Sequence, residues 1–272
     1  MTFQGKKGVL LGVLNKRSIA ANCANHLLDK GARIVCSYLP DTDGTRRLKL
    51  AQAAVPSLQP TSMLQYDAAS DVSVADFFSQ VEDQFGTIDF LVHAISMVPV
   101  RNEVMPTTGI TRNEFLNAMD ISVYSMVAAA RHARVLMKQG GSIVTLSYLG
   151  SQSVVRGYET LGICKAALET TVRYLAQELA PVGIRVNMVS PAPIASSSSL
   201  ANPAFSRLSQ AYADNAPLRR LATVDEVSNT IGFLLSNDSS GMTGETLFVD
   251  GGFHYVAATG ADLTRSGNVE ID

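Results

Sequence analysis

Short apolar runs alternate with longer amphipathic segments along most of the chain. The apolar runs predict strands at residues 8–14, 32–38, 63–66, 88–95, 141–146, 184–189 and 245–249. Between them, apolar positions recur at helical spacing and predict helices at 19–30, 72–85, 112–138, 161–179 and 224–235. Strands and helices alternate in this way in parallel sheets with right-handed crossovers. The pattern therefore predicts an α/β fold, a doubly wound parallel sheet of about seven strands with helices on both faces.

Length and composition fit one α/β unit. The chain has 272 residues, of which 46% are hydrophobic and 17% charged, enough apolar material for a large core. No linker rich in Pro, Gly or Ser divides it, so we expect a single domain over residues 1–272. The stretch at 191–203 breaks the alternation and contains four consecutive serines at 196–199. It predicts either a mobile segment over a site or a plain surface loop.

Charge and cysteine content exclude several classes of function. The formal net charge of −2 gives no electrostatic reason to expect nucleic acid or an anionic membrane as a partner. No apolar run is long enough to span a membrane, and no signal peptide precedes the first predicted strand. The three cysteines lack metal-ligand spacing, and no His, Cys or carboxylate cluster predicts a metal site. We expect a cytoplasmic protein with reduced thiols.

Tyr158 and Lys165 form the first candidate pair for chemistry. They are seven residues apart, almost two turns of a helix, so both side chains are expected on one helical face. A nearby lysine can favour a phenolate and can orient a phenol as a proton donor. Alternatively, Tyr158 packs in the core and Lys165 is a solvated surface residue. The pair alone leaves both interpretations open.

The segment after the first predicted strand is a candidate phosphate-binding turn. Gly12 allows a tight turn, and Ser18 can cap the following helix or give its hydroxyl to a phosphate. The turn has one glycine where the usual dinucleotide fingerprint has three, so it is weak support for a dinucleotide. Asp67 follows the third predicted strand and can accept a hydrogen bond from an adenine amino group or simply form a turn.

Several motifs occur together in the order typical of one protein family. They are Gly12-Val13…Ser18-Ile19-Ala20, Val92-His93-Ala94-Ile95, Asp120-Ile121-Ser122-Val123-Tyr124-Ser125, Leu146-Ser147-Tyr148-Leu149-Gly150, Arg185-Val186-Asn187 and Val249-Asp250-Gly251-Gly252-Phe253. Through them the chain resembles the short-chain dehydrogenase/reductase superfamily and, within it, the FabI-type enoyl-acyl carrier protein reductases. The resemblance implies a Rossmann-like fold, a homotetramer, and NADH-dependent reduction of a trans-2-enoyl thioester in fatty acid synthesis. It also implies a substrate-binding loop and helix at about 191–215.

The spacing of the active-site residues is similar to that of one branch of this superfamily. Ordinary members have a tyrosine four residues before the lysine, and this chain has Leu161 there. Enoyl reductases have a tyrosine seven residues before the lysine and a second tyrosine ten residues further upstream. Tyr158, Lys165 and Tyr148 fit both intervals. The spacing favours reduction of a carbon–carbon double bond over reduction of a ketone.

The resemblance also implies roles for individual residues. Tyr158 is expected to donate to the thioester oxygen, Lys165 to bind the nicotinamide ribose, and Tyr148 to shape the acyl pocket or relay a proton. The expected cofactor-binding residues are Gly12, Ser18, Ile19, Asp67, Ala94, Ile95, Lys165, Ile194 and Ser196. The expected substrate-binding residues are Ser96, Met97, Tyr148, Tyr158 and Leu161. His93 is interpreted as a packed histidine rather than a catalyst.

The end of the second predicted strand bears on cofactor choice. Asp41 lies where an NADPH-dependent enzyme usually has a basic residue, which favours NADH over NADPH unless Arg46 or Arg47 folds back. Other positions depart from the family pattern: Ser96-Met97, Ala192 and Ala195, and a carrier-docking helix that keeps only Arg207. The thioester carrier, acyl carrier protein or CoA, therefore stays open. A reductase of a specialised pathway, acting on another enone, and a non-catalytic nucleotide-binding protein remain alternatives.

Overall fold

The computed structural model describes residues 1–41, 44–97, 106–200 and 204–256, with the backbone alone at 197 and 198. Within these residues, seven strands form one sheet in the order β3-β2-β1-β4-β5-β6-β7, and every neighbouring pair is parallel. The strands are β1 (Lys7–Leu11), β2 (Arg33–Tyr38), β3 (Met63–Gln65), β4 (Phe90–His93), β5 (Gly141–Leu146), β6 (Ile184–Pro191) and β7 (Thr246–Val249). The predicted doubly wound parallel sheet is confirmed.

Helices cover both faces of this sheet. They are α1 (Ile19–Asp29), α2 (Arg46–Ala54), α3 (Asp71–Phe85), α4 (Arg112–Met119), α5 (Ser125–Leu136), α6 (Glu159–Leu179), α7 (Ser197–Leu200), α8 (Phe205–Asn215) and α9 (Val224–Leu235). Apolar side chains of α3, α5 and α6 form one core with the sheet, and those of α1, α2 and α9 form a second. Each core removes a large apolar area from water, which is the main stabilising contribution to the fold.

Three elements differ from the sequence prediction. Helix α2 was missed because it is short and buries only Ala51 and Ala54. Strand β1 ends at Leu11 rather than at residue 14, because Gly12 takes a φ of 104° and turns the chain. The single helix predicted at 112–138 is interrupted by the π-helical segment Asp120–Tyr124, which lies between α4 and α5.

The segment predicted as a substrate-binding loop and helix contains more regular secondary structure than its composition suggested. Pro191 still belongs to β6, and α7 and α8 follow it; residues 201–203 lie outside the described part of the chain. Ala192 is buried. Among the described residues Arg219 is the non-glycine residue with positive φ, so an alanine fits at position 192 without backbone strain.

Candidate active site

Two tyrosines meet at the carboxyl end of β5. Tyr148 follows β5 by two residues, and its ring centroid lies 4.4 Å from that of Tyr158, with the ring planes tilted by 57°. A Cβ on Gly150 would lie 2.7 Å from the Tyr158 ring and 3.3 Å from the Tyr148 ring. Gly150 is therefore required for this contact, and the structure brings together the two tyrosines that the sequence singled out.

Tyr158 is the N-cap residue of the helix that carries Lys165. Helix α6 begins at Glu159; Tyr158 precedes it with a φ of −127°, and its carbonyl accepts the N–H of Gly162 at 2.6 Å. Tyr158 therefore stands at the start of α6 rather than inside it, and the common helical face with Lys165 stays a prediction. Burial raises the pKa of the Tyr158 phenol, and the neighbouring Tyr148 and Cys164 raise it further. The raised pKa keeps the phenol protonated at neutral pH, so of the two possibilities left open by the sequence it favours the phenol over the phenolate.

Lys165 is buried at the end of β5. Its side chain is 5% exposed, and its Nζ donates a hydrogen bond of 2.7 Å to the carbonyl of Leu146, the last residue of the strand. Burial lowers its pKa to about 8, although Cys164 and Glu169 act in the opposite direction. The alternative interpretation of Lys165 as a solvated surface residue is therefore wrong.

An aromatic cluster continues from Tyr148 towards the C-terminal part of the chain. Tyr212 of α8 is buried, stacks on Phe253 with ring centroids 3.9 Å apart, and lies 6.3 Å from the Tyr148 ring. The Tyr148 and Tyr212 hydroxyls interact with each other, and burial raises the pKa of both phenols. Tyr212 was not predicted as a site residue, because a single tyrosine in a helix gives no local signal of its contact with a residue 64 positions earlier.

The turn after β1 packs closely against the end of β4. A Cβ on Gly12 would lie 2.3 Å from the carbonyl oxygen of Ala94, and its N–H donates to Ser37 Oγ at 2.9 Å. Ser18 precedes α1 as its N-cap residue, but its hydroxyl oxygen instead accepts the N–H groups of Leu14 and Asn15, each at 3.0 Å. Ser18 therefore fastens the turn itself, immediately before Ile19 begins α1.

The other predicted cofactor residues differ in what surrounds them. Ile194 lines an open cleft of about 350 Å³ opposite Lys16 and Arg17 of the first turn. Ser196 accepts the N–H of Ser199 at 3.2 Å and contacts its hydroxyl at 2.8 Å, at the start of α7. Asp67 Oδ1 accepts the N–H of Ala69 at 3.0 Å, as a turn-forming aspartate does. An adenine contact for Asp67 stays a prediction.

The segment after β4 is held by a serine of the π-helical turn. Ser122 Oγ accepts the N–H of Met97 at 3.0 Å and donates to its carbonyl at 3.1 Å. Ser96 is half-buried and Met97 exposed beside this contact, and Leu161 is half-buried near the start of α6. Ser122 was not recognised as a site residue, because its contact crosses 25 positions of sequence.

His93 is fully buried at the end of β4. Its ring nitrogens contact Thr145 Oγ1 at 3.0 Å and Ser125 Oγ at 2.8 Å. Burial, assisted by the charge of Lys165, lowers its pKa to about 3, so the ring is neutral at physiological pH. The interpretation of His93 as a packed histidine is confirmed.

The loop after β2 carries an ion pair. Arg47 folds back, so that its Nη1 donates to the carbonyl of Pro40 at 2.6 Å and its Nε lies 3.8 Å from Asp41 Oδ1. The backbone N–H of Arg47, in the first turn of α2, donates to Asp41 Oδ2 at 2.7 Å. Asp41 therefore supplies the negative charge that the N-terminus of α2 favours.

Comparison with known proteins identifies the family. The family model described as enoyl-(acyl carrier protein) reductase matches residues 12–254. The chain belongs to the enoyl-acyl carrier protein reductase family.

Individual relatives match this reductase over nearly their whole length. A Synechocystis protein named enoyl-acyl-carrier-protein reductase (NADH) FabI is 40% identical over 93% of this chain and 98% of its own. A Staphylococcus aureus relative, named as the NADPH enzyme, is 37% identical over 94% of this chain and 99% of its own. The crystal structure of the Anaplasma phagocytophilum reductase in complex with NAD aligns with a TM-score of 0.88 at 36% identity, covering 95% of this chain and 97% of that one.

The described part of the reductase lacks two kinds of feature. In the described segments no helix is long and apolar enough to cross a lipid bilayer. Within the same residues, no group of three or more His, Cys, Asp or Glu side chains is arranged to hold a metal ion.

Proposed function

We propose that this chain reduces the carbon–carbon double bond of a trans-2-enoyl thioester on acyl carrier protein, with NADH as reductant. The observation that carries the proposal is the contact of the Tyr148 and Tyr158 rings, 4.4 Å apart, after the strand whose last carbonyl binds the buried Lys165. A ketone reductase of the superfamily needs a tyrosine at position 161, where this chain has leucine. The family match over residues 12–254 supports the same activity.

The residues at the carboxyl edge of the sheet fit a dinucleotide. The first turn runs so close to Ala94 that a Cβ on Gly12 would lie 2.3 Å from its carbonyl oxygen, a cradle that only glycine allows. Lys16 and Arg17 line the cleft of about 350 Å³ opposite Ile194 and offer positive charge to a pyrophosphate. Because the Ser18 oxygen accepts two backbone N–H groups, its proton can be donated to a phosphate oxygen. We assign Ile95, Asp67 and Ser196 to the same cofactor on the family resemblance.

Tyr158 is the proposed donor to the reacting thioester. NADH, when bound, supplies the hydride that adds to the β-carbon of the substrate. Negative charge then develops on the thioester carbonyl oxygen, and a hydrogen bond from Tyr158 stabilises it more strongly than it stabilises the ground state. Since burial raises the pKa of Tyr158, the phenol keeps its proton at neutral pH and serves as a donor. Tyr148, Ser96, Met97 and Leu161 are proposed to line the acyl pocket.

Lys165 is proposed to bind the ribose of the nicotinamide. Its ammonium has three protons, of which one is donated to Leu146 at 2.7 Å, and the others can be donated to ribose hydroxyls. This role needs the charged form. Because the pKa is lowered to about 8, the charge is retained at neutral pH and lost under mildly alkaline conditions.

Asp41 supports NADH rather than NADPH as the cofactor. Its carboxylate accepts the backbone N–H of Arg47 at the N-terminus of α2 and lies 3.8 Å from the Arg47 guanidinium. In an NADPH-dependent enzyme, a cation in this region would bind the 2′-phosphate. A second anion there would be repelled by Asp41. The Synechocystis relative, which is named as an NADH enzyme, supports the same choice.

We further infer a single catalytic domain over residues 1–272, with 191–215 as its substrate-binding segment, in a cytoplasmic homotetramer. Val135 and Tyr174 are 63% and 75% exposed on the outer sides of α5 and α6, where a second copy would cover them. Cys23, Cys36 and Cys164 are buried free thiols, in keeping with a reducing compartment. CoA can replace acyl carrier protein as the thioester carrier, since Arg207 alone remains of the basic docking helix.

The test is an assay of NADH oxidation with trans-2-enoyl thioesters of several chain lengths, carried on CoA and on acyl carrier protein. We expect turnover with both carriers and, for one range of chain lengths, a preference that defines the substrate. Binding of NADH without turnover of any enoyl thioester would overturn the proposal in favour of a nucleotide-binding protein. Faster turnover of an unrelated enone would instead indicate a specialised pathway.

A further inference from the structure

A buried carboxyl group lies next to the proposed active site and has no role in it so far. Glu169 of α6 is 4% exposed and lies one helical turn after Lys165. Its Oε1 accepts hydrogen bonds from Ser147 Oγ and Ser151 Oγ, each at 2.6 Å, and its Oε2 accepts one from Gln152 Nε2 at 3.2 Å. Distances of 2.6 Å between a hydroxyl and a carboxyl oxygen are typical of strong, charge-assisted hydrogen bonds.

The three donors all belong to the segment that carries Tyr148. Ser147 immediately precedes Tyr148, and Ser151 and Gln152 close the short turn Leu149–Ser151 that follows it. The same segment has a second attachment to α6, because Lys165 Nζ donates to Leu146 one residue earlier. Lys165 and Glu169, one turn apart on α6, therefore form hydrogen bonds with residues on either side of Tyr148.

The Glu169 carboxylate determines which acceptor the Ser151 hydroxyl binds. It lies 2.6 Å from Glu169 Oε1 and 2.9 Å from the carbonyl oxygen of Tyr148 itself. A hydroxyl has one proton to donate, and the closer carboxyl oxygen is the better acceptor. Without Glu169, this proton turns to the Tyr148 carbonyl, and the turn loses its attachment to α6.

We propose that Glu169 is a positioning residue of the reductase. It holds the Tyr148 turn against α6 and thereby keeps the Tyr148 and Tyr158 rings in contact, beside the Leu146 carbonyl that binds Lys165. The inference rests on the proposed roles of Tyr148, Tyr158 and Lys165. The close fit around Gly150 makes the position sensitive, since a Cβ added there would lie 2.7 Å from the Tyr158 ring and 3.3 Å from the Tyr148 ring.

Glu169 also acts on Lys165 itself. Burial lowers the pKa of Lys165, and the negative charge of Glu169 opposes that effect. Cys164, on the same helix, acts in the same direction as Glu169, and His93 from β4 is uncharged at neutral pH. Removing Glu169 should therefore lower the pH at which Lys165 loses its charge, an effect that a purely structural role of Glu169 would not produce.

The principal experiment uses Glu169→Leu, which has a similar volume and no acceptor, with Glu82→Leu as the matched control. Glu82 lies on α3 and is exposed. We expect Glu169→Leu to lower kcat at least about tenfold, to change the Kd for NADH less than about threefold, and to move the alkaline limb of the pH–rate profile to lower pH. Glu82→Leu should change none of these.

Two further variants keep the test decisive if Glu169→Leu folds poorly. Ser151→Ala removes one of the three hydrogen bonds, and Glu169→Gln keeps an acceptor while removing the charge. Each is expected to lower kcat by about threefold, with thermal unfolding close to that of the parent protein. Unchanged kcat in both variants, or a loss of kcat that merely follows the fraction of unfolded protein, would overturn the proposal.

Tyr148→Leu, which removes the aromatic ring, separates this inference from the assignment of Tyr148. If Glu169 acts through the Tyr148 ring, then Glu169→Leu should slow Tyr148→Leu by a smaller factor than it slows the parent enzyme. Full activity of Tyr148→Leu alone would refute the role of Tyr148. Slow Tyr148→Leu combined with fully active Glu169→Leu would refute the positioning role and leave the Tyr148 assignment intact.

Discussion

Two loops at the carboxyl edge of the sheet carry residues of the proposed site of this reductase, and different contacts hold each loop in place. The loop after β5 is fixed by buried groups, with Lys165 and Glu169 bound to Leu146, Ser147 and Ser151. Among the described residues of the loop after β2, Asp41 and Pro40 contact Arg47, whose guanidinium side chain is 45% exposed. Buried hydrogen bonds to charged groups contribute more than surface pairs, and breaking them leaves unsatisfied polar atoms.

The difference matches what each loop has to do. The β5 loop is proposed to orient groups that touch the reacting carbonyl, where a displacement of about 1 Å can cost a hundredfold in rate. The β2 loop is proposed to select between two cofactors that differ by one phosphate, which needs charge rather than accurate positioning. Substitutions in the β5 loop should therefore change the reaction rate, and those in the β2 loop should change cofactor selectivity.

The largest effect is expected for Tyr158→Phe. Loss of the donor to the developing oxyanion should lower kcat by about a hundredfold to a thousandfold, with little change in the Kd for NADH. Steady-state kinetics and fluorescence titration with NADH measure the two quantities. Tyr255→Phe, at an exposed position after β7, is the control. Full activity of Tyr158→Phe would contradict the assignment of Tyr158 as the donor, and with it the proposal that the region after β5 controls the reaction rate.

The next effect is expected for Gly150→Ala. The added methyl group would lie 2.7 Å from the Tyr158 ring and must displace it, so kcat should fall at least about tenfold. Gly241→Ala is the matched control, because a Cβ there meets nothing within 4 Å. Circular dichroism and thermal unfolding of both variants establish that the fold is kept. Equal kcat for the two alanine variants would mean that the tyrosine contact does not limit the rate.

The pH dependence tests the buried lysine. The pKa of Lys165 is lowered to about 8, so its ammonium is charged below that pH and neutral above it. We expect kcat/KM with NADH to be roughly constant below pH 7 and to decline tenfold per pH unit well above pH 8. Lys165→Arg, which stays charged at any accessible pH, should lack this decline. A parent profile that stays level up to pH 10 would contradict a role for the charged lysine.

The smallest effect is expected for Asp41→Asn. Removing the carboxylate frees the N-terminus of α2 and Arg47 for a 2′-phosphate, so the KM for NADPH should fall about fivefold. The KM for NADH and kcat should change little, since nothing in the β5 loop is altered. Asp41→Asn combined with Arg47→Leu should lose the improvement. A large fall in kcat for Asp41→Asn would break the division of roles between the two loops.

Much of the fold and part of the site could be predicted from the sequence. The alternation of apolar runs predicted the seven parallel strands, and the order of the motifs, with the intervals among Tyr148, Tyr158 and Lys165, gave the resemblance to the family; both are confirmed. Helix α2 was missed because burial of two alanines leaves almost no apolar periodicity in its sequence. That Tyr158 caps α6 instead of lying inside it could not be predicted, because spacing along the chain does not say where a helix begins.

The sequence by itself determined the sheet and the identity of the residues with reactive groups, because periodicity and motif order are local properties of the chain. The tertiary structure alone decided that Lys165 is buried with a lowered pKa, that Gly150 allows two tyrosine rings to meet, and that Arg47 is already paired with Asp41. It also decided that Glu169 binds the turn that carries Tyr148. These properties arise from desolvation and from contacts between residues far apart in sequence, which no local pattern records.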